Sequence, residues 1–393
     1  MKEPLRVGLV GAGFAAHIHA RAYQRLADLN VLIGATTASP RSEAEALAHE
    51  YGIPVVCESF DALLERPEIS IVDLCVPNYL HAPFCVAAAQ AGKHVICEKP
   101  LTGYFGGAGA AEPVGATPKG LMLRQAVHAA EEMLAAAEGA GVRLMYAENW
   151  IYSPVVQRAM ALCRDAGGTI LETRAQECHG GSHAAYAKEW RAAGGGALIR
   201  LGAHPLGTAL YLKQQEGIAR DGRPIGVRSV VAEVGDLTRV PSFVAEEHKW
   251  LVTGWQDVEN WATVIVTFTD GTHAIIFGSD TVLGGMTDTL EIHLSNARLA
   301  CNMSHSSLLQ TYAPDPAIFA GSYLAEKLDT KAGWNFANVD EEWLLGYPQE
   351  MRDFCSAVQE GRPSLVDGRL GLEVVRVTYA AYQAAEEGRR IEL

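Results

Sequence analysis

The chain has 393 residues, 49% of them apolar and 20% charged, which supplies two full-sized cores and is too little charge for a disordered protein. Its 32 basic and 46 acidic side chains leave a net charge of −14, which repels phosphate backbones and argues against nucleic acid as a partner. No apolar run reaches the roughly 18–20 residues that cross a bilayer, and the N-terminus carries no signal-peptide pattern, so a cytoplasmic protein without a membrane partner is expected.

In chain order, residues 6–10 read as a short apolar strand and the alanine-rich residues 14–29 as a helix. Strand-like 31–37 is followed by helical 42–51, extended 55–57 and a brief helix at 60–65. Residues 69–76 form an apolar strand stopped by Pro77, residues 82–91 a helix capped by Gly92, and residues 94–97 another strand. This alternation means a parallel, doubly wound sheet. Residues 102–118 hold five glycines, two prolines and one charge, and read as a mobile loop or lid. A long helix over 121–138 and a strand over 143–148 follow. Between residues 225 and 304, β-branched stretches are separated by the hairpin turns Asp270-Gly271 and Asn296-Ala297, which signals antiparallel pairing. Helices over 348–359 and 370–385 close the chain. The fold class is therefore α/β: a Rossmann domain at 1–148, with a Gly-rich insert at 102–120, then an α+β domain at 149–393 with a large, open, mostly antiparallel sheet. The eight cysteines form no C-x-x-C pair and are expected as buried free thiols.

Gly11, Gly13 and Ala16 fit G-x-G-x-x-A between the first strand and the first helix. The first glycine allows the tight turn, the second lets a pyrophosphate reach the backbone, and the alanine permits close helix–strand packing. Phe14 and Ala15 complete the cofactor turn. The end of the second strand, where an NAD enzyme carries an acid, has Thr37, Ser39 and Arg41 instead. Ser39 and Arg41 suit a 2′-phosphate, so the cofactor is read as NAD or NADP with a lean to NADP.

Further motifs are Val76-Pro77-Asn78-Tyr79-Leu80-His81, then Glu98-Lys99-Pro100 after Gly92-Lys93-His94, and a Gly195–His204 segment reading GGALIRLGAH. With the glycine fingerprint, they resemble the Gfo/Idh/MocA oxidoreductases, the glucose–fructose oxidoreductase and inositol dehydrogenase family, from about residue 5 to the C-terminus. The resemblance implies hydride transfer between nicotinamide C4 and a sugar or cyclitol carbon, and a homodimer or homotetramer formed through the C-terminal sheet. It implies that Lys99 sits beside the reacting hydroxyl and that Glu98 and Pro100 shape the nicotinamide pocket. Pro77, Asn78 and His81 would lie along the cofactor, and His204 would exchange the hydroxyl proton. These residue types suit the chemistry: a histidine titrates near neutrality, and an ammonium stabilises a developing alkoxide.

One departure stands out. The family motif carries Asp four residues before the histidine; here that position is Arg200, and the polar position three residues after it is Gly207. The chain thus resembles a branch with Arg in place of that Asp and a Gly-rich insert after Glu-Lys-Pro. Arg200 cannot accept a hydrogen bond and is always charged. It makes an anion subsite for a carboxylate or phosphate on the substrate, or the proton relay is rebuilt from other groups, or Arg200 serves a helix terminus or the cofactor phosphates. Glu148, Asn149 and Tyr152, at the junction of the domains, and His179 and His183 are further substrate candidates, with Trp190 and Arg191 walling the cleft. Glu148, His179, His183 and His204 are metal-ligand types, but their spacing matches no strong metal motif and no metal is assigned. His17 and His19 read as packing or surface groups. The expected activity is an NAD(P)-dependent dehydrogenase or reductase of a sugar, sugar acid or cyclitol. A transient-oxidation enzyme for elimination or glycoside cleavage, and a non-catalytic dinucleotide-binding regulator, are the alternatives.

Overall fold

Five short strands rich in Val, Ile and Leu, each followed by helical or turn sequence, can bury both faces only by lying parallel beneath covering helices. The computed structural model, which describes residues 3–107, 109–304 and 308–393, shows this arrangement. β1 (Leu5–Val10), β2 (Val31–Thr37), β3 (Ile71–Leu74), β4 (His94–Glu98) and β5 (Leu144–Ala147) form a parallel sheet in the order β2-β1-β3-β4-β5. Helices α1 (Phe14–Gln24) and α2 (Arg41–Tyr51) follow the first two strands. Leu9, Ala16, Ala20, Leu47 and Ile53 pack into one core cluster there. The strand order reverses between β1 and β3, and such a switch point is where open α/β sheets bind ligands, at the C-terminal strand ends. The extended stretch expected at 55–57 forms only an isolated bridge, Thr36 to Val56.

The second sheet has seven strands in the order β11-β10-β6-β9-β8-β7-β14. They are β6 (Ile170–Cys178), β7 (Val227–Gly235), β8 (Trp261–Phe268), β9 (His273–Ser279), β10 (Thr287–Leu294), β11 (Arg298–Asn302) and β14 (Ile391–Glu392). Its pairs are antiparallel except β6 with β9, so the sheet is mixed. The turns at Asp270-Gly271 and Asn296-Ala297 join β8 to β9 and β10 to β11, as their chemistry requires, with Gly271 at φ +88. A separate ribbon, β12 (Gln310–Ala313) with β13 (Gly333–Phe336), has no counterpart in the sequence reading. Alternation splits β6 between two faces: Glu172, Arg174 and Gln176 on one, Thr173, Ala175 and Glu177 on the other. The helix Ala203–Asp221 packs on β6 and β9.

By internal packing, one unit comprises residues 1–104, 124–152 and 346–375, and the other 105–123, 153–345 and 376–393. The division is thus not the single cut expected at 148/149. Residues 346–375 close back on the first unit: buried Phe354 stacks edge-on against Tyr152, and Gly371 is pressed against Leu101 and Tyr146.

The Gly-rich segment belongs to the second unit from residue 105 onward; residue 108 lies outside the described residues. Read from sequence as a mobile loop or lid, it is fastened at its distal half. The Gly115 amide donates to Asp257 at 2.8 Å, and a Cβ at Gly115 would stand 2.2 Å from the Asp257 carbonyl oxygen. Seven of the cysteines are buried and Cys163 is half-buried, all of them free thiols. Among the described residues, no helix is long and apolar enough to cross a membrane.

Candidate active site

β1 ends at Val10, and the chain turns over Gly11 into α1, capped by Gly13. Gly11 has φ +104, and a Cβ there would lie 2.1 Å from the Cys75 carbonyl oxygen beyond β3, so only glycine closes this turn. Its amide donates to the Thr37 carbonyl at 2.8 Å, tying the turn to the end of β2. Gly13 is the reverse case: a Cβ would meet nothing within 4 Å. The open space lies at the start of α1, which has neither a side-chain cap nor an acidic residue in its first turn. Orphan amide donors, the positive helix end and a missing Cβ are what a pyrophosphate needs. The residues present therefore fit a dinucleotide. Ala16 is wholly buried against the core, Ala15 half-buried and Phe14 exposed.

The other expected cofactor residues occupy the same edge. Thr37 ends β2, Pro77 and Asn78 follow β3, and Glu98 ends β4 with Lys99 and Pro100 directly after it; Glu148, expected at the substrate, follows β5. Ser39 is exposed. Arg41 is exposed too, but its guanidinium donates to Glu45 and Glu58, each at 2.8 Å. The side chain read as a 2′-phosphate contact is thus already flanked by two carboxylates. His81 is buried with Nδ1 2.8 Å from the Pro100 carbonyl and Nε2 3.0 Å from the Val76 carbonyl. It staples the loops after β3 and β4 to each other, a backbone role in place of the cofactor contact expected. Burial pushes its pKa down, against those carbonyl bonds.

Lys99 is half-buried, and Glu148 is wholly buried. Burial drives the Glu148 carboxyl well above its ordinary range, with the Lys99 charge pulling it back. Asn149 begins a buried turn of helix. Tyr152, expected at the substrate, instead donates to Asp353 at 2.9 Å and accepts from the Val366 amide at 3.2 Å. It pins residues 346–375 to the first unit.

His19, read as a packing or surface residue, lies in the interior and carries a polar network. It is fully buried, with Nδ1 2.9 Å from Asp73 Oδ2 and Nε2 3.0 Å from Glu98 Oε1. The Cys75 thiol lies 3.3 Å from Nδ1, and the Tyr23 hydroxyl donates to Asp73 Oδ2 at 2.8 Å. Burial disfavours a charged ring, yet Asp73 and Cys75 hold its pKa well above the ordinary value. His19, Asp73 and Cys75 also have their ligand atoms within 4.8 Å of one another, but the imidazole and carboxylate are already bonded directly. The sequence signal for this network is Asp73 itself, an acid inside the apolar strand Ile71–Leu74, which needs a buried partner.

In the second unit, the glycine turn at 194–196 is shaped by a residue the sequence reading missed. The Glu259 carboxylate accepts from the amides of Gly196 at 3.0 Å and Leu198 at 2.9 Å, and from the Tyr382 hydroxyl at 2.8 Å. A Cβ on Gly196 would stand 1.8 Å from the Glu259 carbonyl oxygen, so the glycine there serves close backbone approach. This turn leads into Arg200 and then His204, second residue of the helix Ala203–Asp221. His204 is buried with Nε2 3.9 Å from Glu177 Oε2, an electrostatic neighbour beyond hydrogen-bond reach.

Arg200 donates to Asp280 just after β9 and stacks over Trp255 at 5.3 Å. His179 lies on the same carboxylate, Nδ1 3.6 Å from Asp280 Oδ1, and that nitrogen also accepts from the Gly181 amide at 2.9 Å. Arg200 is thus a compensated charge, not a bare anion subsite.

His183 is exposed, and Arg191 pairs with Glu112. Trp190 is buried between Tyr382, ring centroids 4.9 Å apart, and the Lys119 ammonium 4.7 Å away. It is a core residue, so it does not wall a sugar cleft.

A parallel nucleotide-binding sheet with its fingerprint at the switch point, followed by a mixed open sheet carrying buried acid–base groups, defines a dinucleotide-dependent oxidoreductase class. The chain belongs to the Gfo/Idh/MocA oxidoreductase family: the family model for the NAD-binding Rossmann fold matches residues 5–110, and that for the C-terminal alpha/beta domain matches residues 165–393. It is 25% identical over 90% of its length, and 89% of the relative's, to D-xylose 1-dehydrogenase (NADP(+)) 2 of Haloferax volcanii. Levoglucosan dehydrogenase of Pseudarthrobacter phenanthrenivorans is 39% identical over 25% of this chain, and the match spans 27% of that relative's length. D-glucoside 3-dehydrogenase of Escherichia coli is likewise 39% identical, over 28% of its own length and 25% of this chain. Among solved structures, GenD2 from gentamicin A biosynthesis, in complex with NAD, superimposes with a TM-score of 0.81 at 24% identity, covering 100% of this chain and 97% of that one. Levoglucosan dehydrogenase in complex with NADH and L-sorbose does so with a TM-score of 0.73 at 20% identity, covering 100% and 99%.

Proposed function

We propose that this protein is an NAD-dependent dehydrogenase acting on a secondary hydroxyl of a sugar or cyclitol. The observation that carries the reading is the alignment of the Gly11–Gly13 turn, Asn78 and Lys99 along one edge of the parallel sheet, with open space at Gly13. Relatives named for levoglucosan, glucosides, xylose and inositol support the substrate class.

When bound, the nicotinamide supplies the hydride acceptor. Gly11, Gly13 and the first amides of α1 hold the pyrophosphate; Thr37 and Ser39 meet the adenosine ribose; Pro77, Asn78 and Pro100 border the nicotinamide half. Lys99, in the first unit, stabilises a developing alkoxide. In the second unit His204 is the acid–base group, with Glu177 beside it to stabilise its imidazolium form. Burial pushes the Glu148 carboxyl up, which weakens its hold on the Lys99 charge beside it. The Arg41–Glu45–Glu58 cluster favours NAD, because two carboxylates repel a 2′-phosphate from the one cation at that strand end.

A second copy of the chain is the partner we assign to the open face of the seven-stranded sheet, where Ile265 pairs with Ile275 and Trp261 packs edge-on against Phe277. Light scattering at micromolar concentration checks this: a monomer contradicts it.

The reading is tested by following nicotinamide absorbance with a panel of sugars, sugar acids and cyclitols and both cofactors. Stoichiometric NADH formation with at least one polyol supports it. Tight cofactor binding without turnover across the panel overturns it.

A further inference from the structure

We propose that His19 is a positioning residue for Lys99: gripped by Asp73, it orients the Glu98 carboxylate, which in turn fixes the Lys99 backbone amide. The inference rests on the reading of Lys99 as the residue beside the reacting hydroxyl, and it concerns what holds that lysine in place.

Both ring nitrogens of His19 face carboxylate oxygens, Nδ1 at 2.9 and 3.1 Å from Asp73 and Nε2 at 3.0 Å from Glu98. Two ionised carboxylates and a neutral imidazole would leave one gap without a proton, because a neutral ring carries only one N–H. Each gap therefore holds a proton, and the ring donates from both nitrogens. The other oxygen, Glu98 Oε2, accepts from the Lys99 amide at 2.9 Å. The two oxygens of one carboxylate are rigidly related. Holding Oε1 at His19 thus sets the rotation of the group, and Oε2 sets the peptide plane from which the Lys99 side chain departs.

A network that only compensates a buried Asp73 would need no more than the Tyr23 hydroxyl and the Nδ1 bond. The additional reach of Nε2 to the strand end that carries Lys99 is what a positioning role requires. The groups around the ring come from four elements: Tyr23 on α1, Asp73 and Cys75 at β3, Glu98 on β4, and Glu350 with the Tyr347 ring on the helix Tyr347–Glu360. With the Asp73 and Glu98 carboxylates on its two nitrogens, the ring is the cation that holds these acids together.

The test compares His19→Asn, whose amide reaches Asp73 but not Glu98, with His19→Gln, whose longer amide restores a donor near the Nε2 position. Turnover by His19→Asn should fall about 30-fold, a loss typical of a misplaced catalytic group, with substrate KM and NADH affinity within about threefold. His19→Gln should recover to within about fivefold of the parent. Histidine 15N NMR of the unsubstituted protein gives a readout free of activity: two protected ring N–H signals for His19, with the Nε2 signal shifted by Glu98→Gln. Unchanged turnover in His19→Asn, equal losses in Asn and Gln variants, or absence of a protected Nε2 proton overturns the inference. Lys99→Met separates the two claims. If it abolishes turnover while His19→Asn does not, only the positioning role fails; if Lys99→Met is itself active, the reading of Lys99 fails first.

Discussion

Arg200 and Asp280 form a buried ion pair in the second unit. Asp280 directly follows β9, and the arginine neutralises it. The two halves of the pair differ in how they respond to losing their partner. An aspartate can take up a proton, and burial already lifts the Asp280 carboxyl above its usual range, with Arg200 pulling it back. A guanidinium cannot discharge. Asp280→Asn should therefore destabilise by about 3–5 kcal/mol, and Arg200→Met by less at pH 5.5 than at pH 8. Thermal melts of both variants at the two pH values check this. An Arg200→Met cost that does not grow with pH would show that Asp280 stays ionised alone.

The two fingerprint glycines should separate stability from cofactor binding. Ala at position 11 places its Cβ 2.1 Å from the Cys75 carbonyl oxygen at positive φ, so Gly11→Ala should lower the melting temperature by about 5 °C or more. Ala at position 13 meets nothing within 4 Å of the protein, so Gly13→Ala should melt within about 2 °C of the parent yet bind NADH at least about tenfold more weakly. Melting curves and NADH fluorescence titration read the two effects.

Cofactor preference should respond to Glu58. Removing one of the two carboxylates on Arg41 frees its donors for a 2′-phosphate. Glu58→Gln is expected to lower the KM for NADP about three- to tenfold while leaving that for NAD unchanged, an effect that salt weakens because the group is exposed. Steady-state kinetics with both cofactors at low and high ionic strength measure it.

Glu350 gives a pH-dependent stability term. It is fully buried with neither carboxylate oxygen hydrogen-bonded, and burial holds its pKa well above the ordinary carboxylate value, with His19 opposing. Between the unfolded and folded pKa values the native state binds the extra proton, so stability falls as pH rises through that window. Glu350→Gln removes the dependence. Its melting temperature should exceed the parent's by more at pH 8.5 than at pH 5.5, and an equal difference at both would contradict the assignment.

Much of the first unit was legible because each step has a strong local cause. Gly11 and Gly13 sit where backbone geometry admits no other residue or a ligand needs room, and Asp270-Gly271 dictates a hairpin. The parallel β6–β9 pair and the return of residues 346–375 to the first unit were not legible, since both depend on partners far away in sequence. The same limit explains the side chains that were misread. Trp190 and Tyr152 are residue types that line sugar sites, but whether an aromatic ring is exposed is decided by what packs on it, here Tyr382 and Asp353. His19 and Glu259 were missed because their partners, Asp73 with Glu98 and the turn amides of Gly196 and Leu198, lie dozens of residues away.

The central claim is net hydride transfer from a carbinol carbon with Lys99 beside the oxygen. Its most direct test uses a polyol deuterated at that carbon and mass analysis of the recovered nicotinamide cofactor, for the parent protein and for Lys99→Met. The account predicts one deuterium accumulating in the cofactor per product formed, at a rate about 10²–10⁴-fold lower in Lys99→Met. Product formed with no label retained in the cofactor, or labelling at the full rate without Lys99, would contradict it.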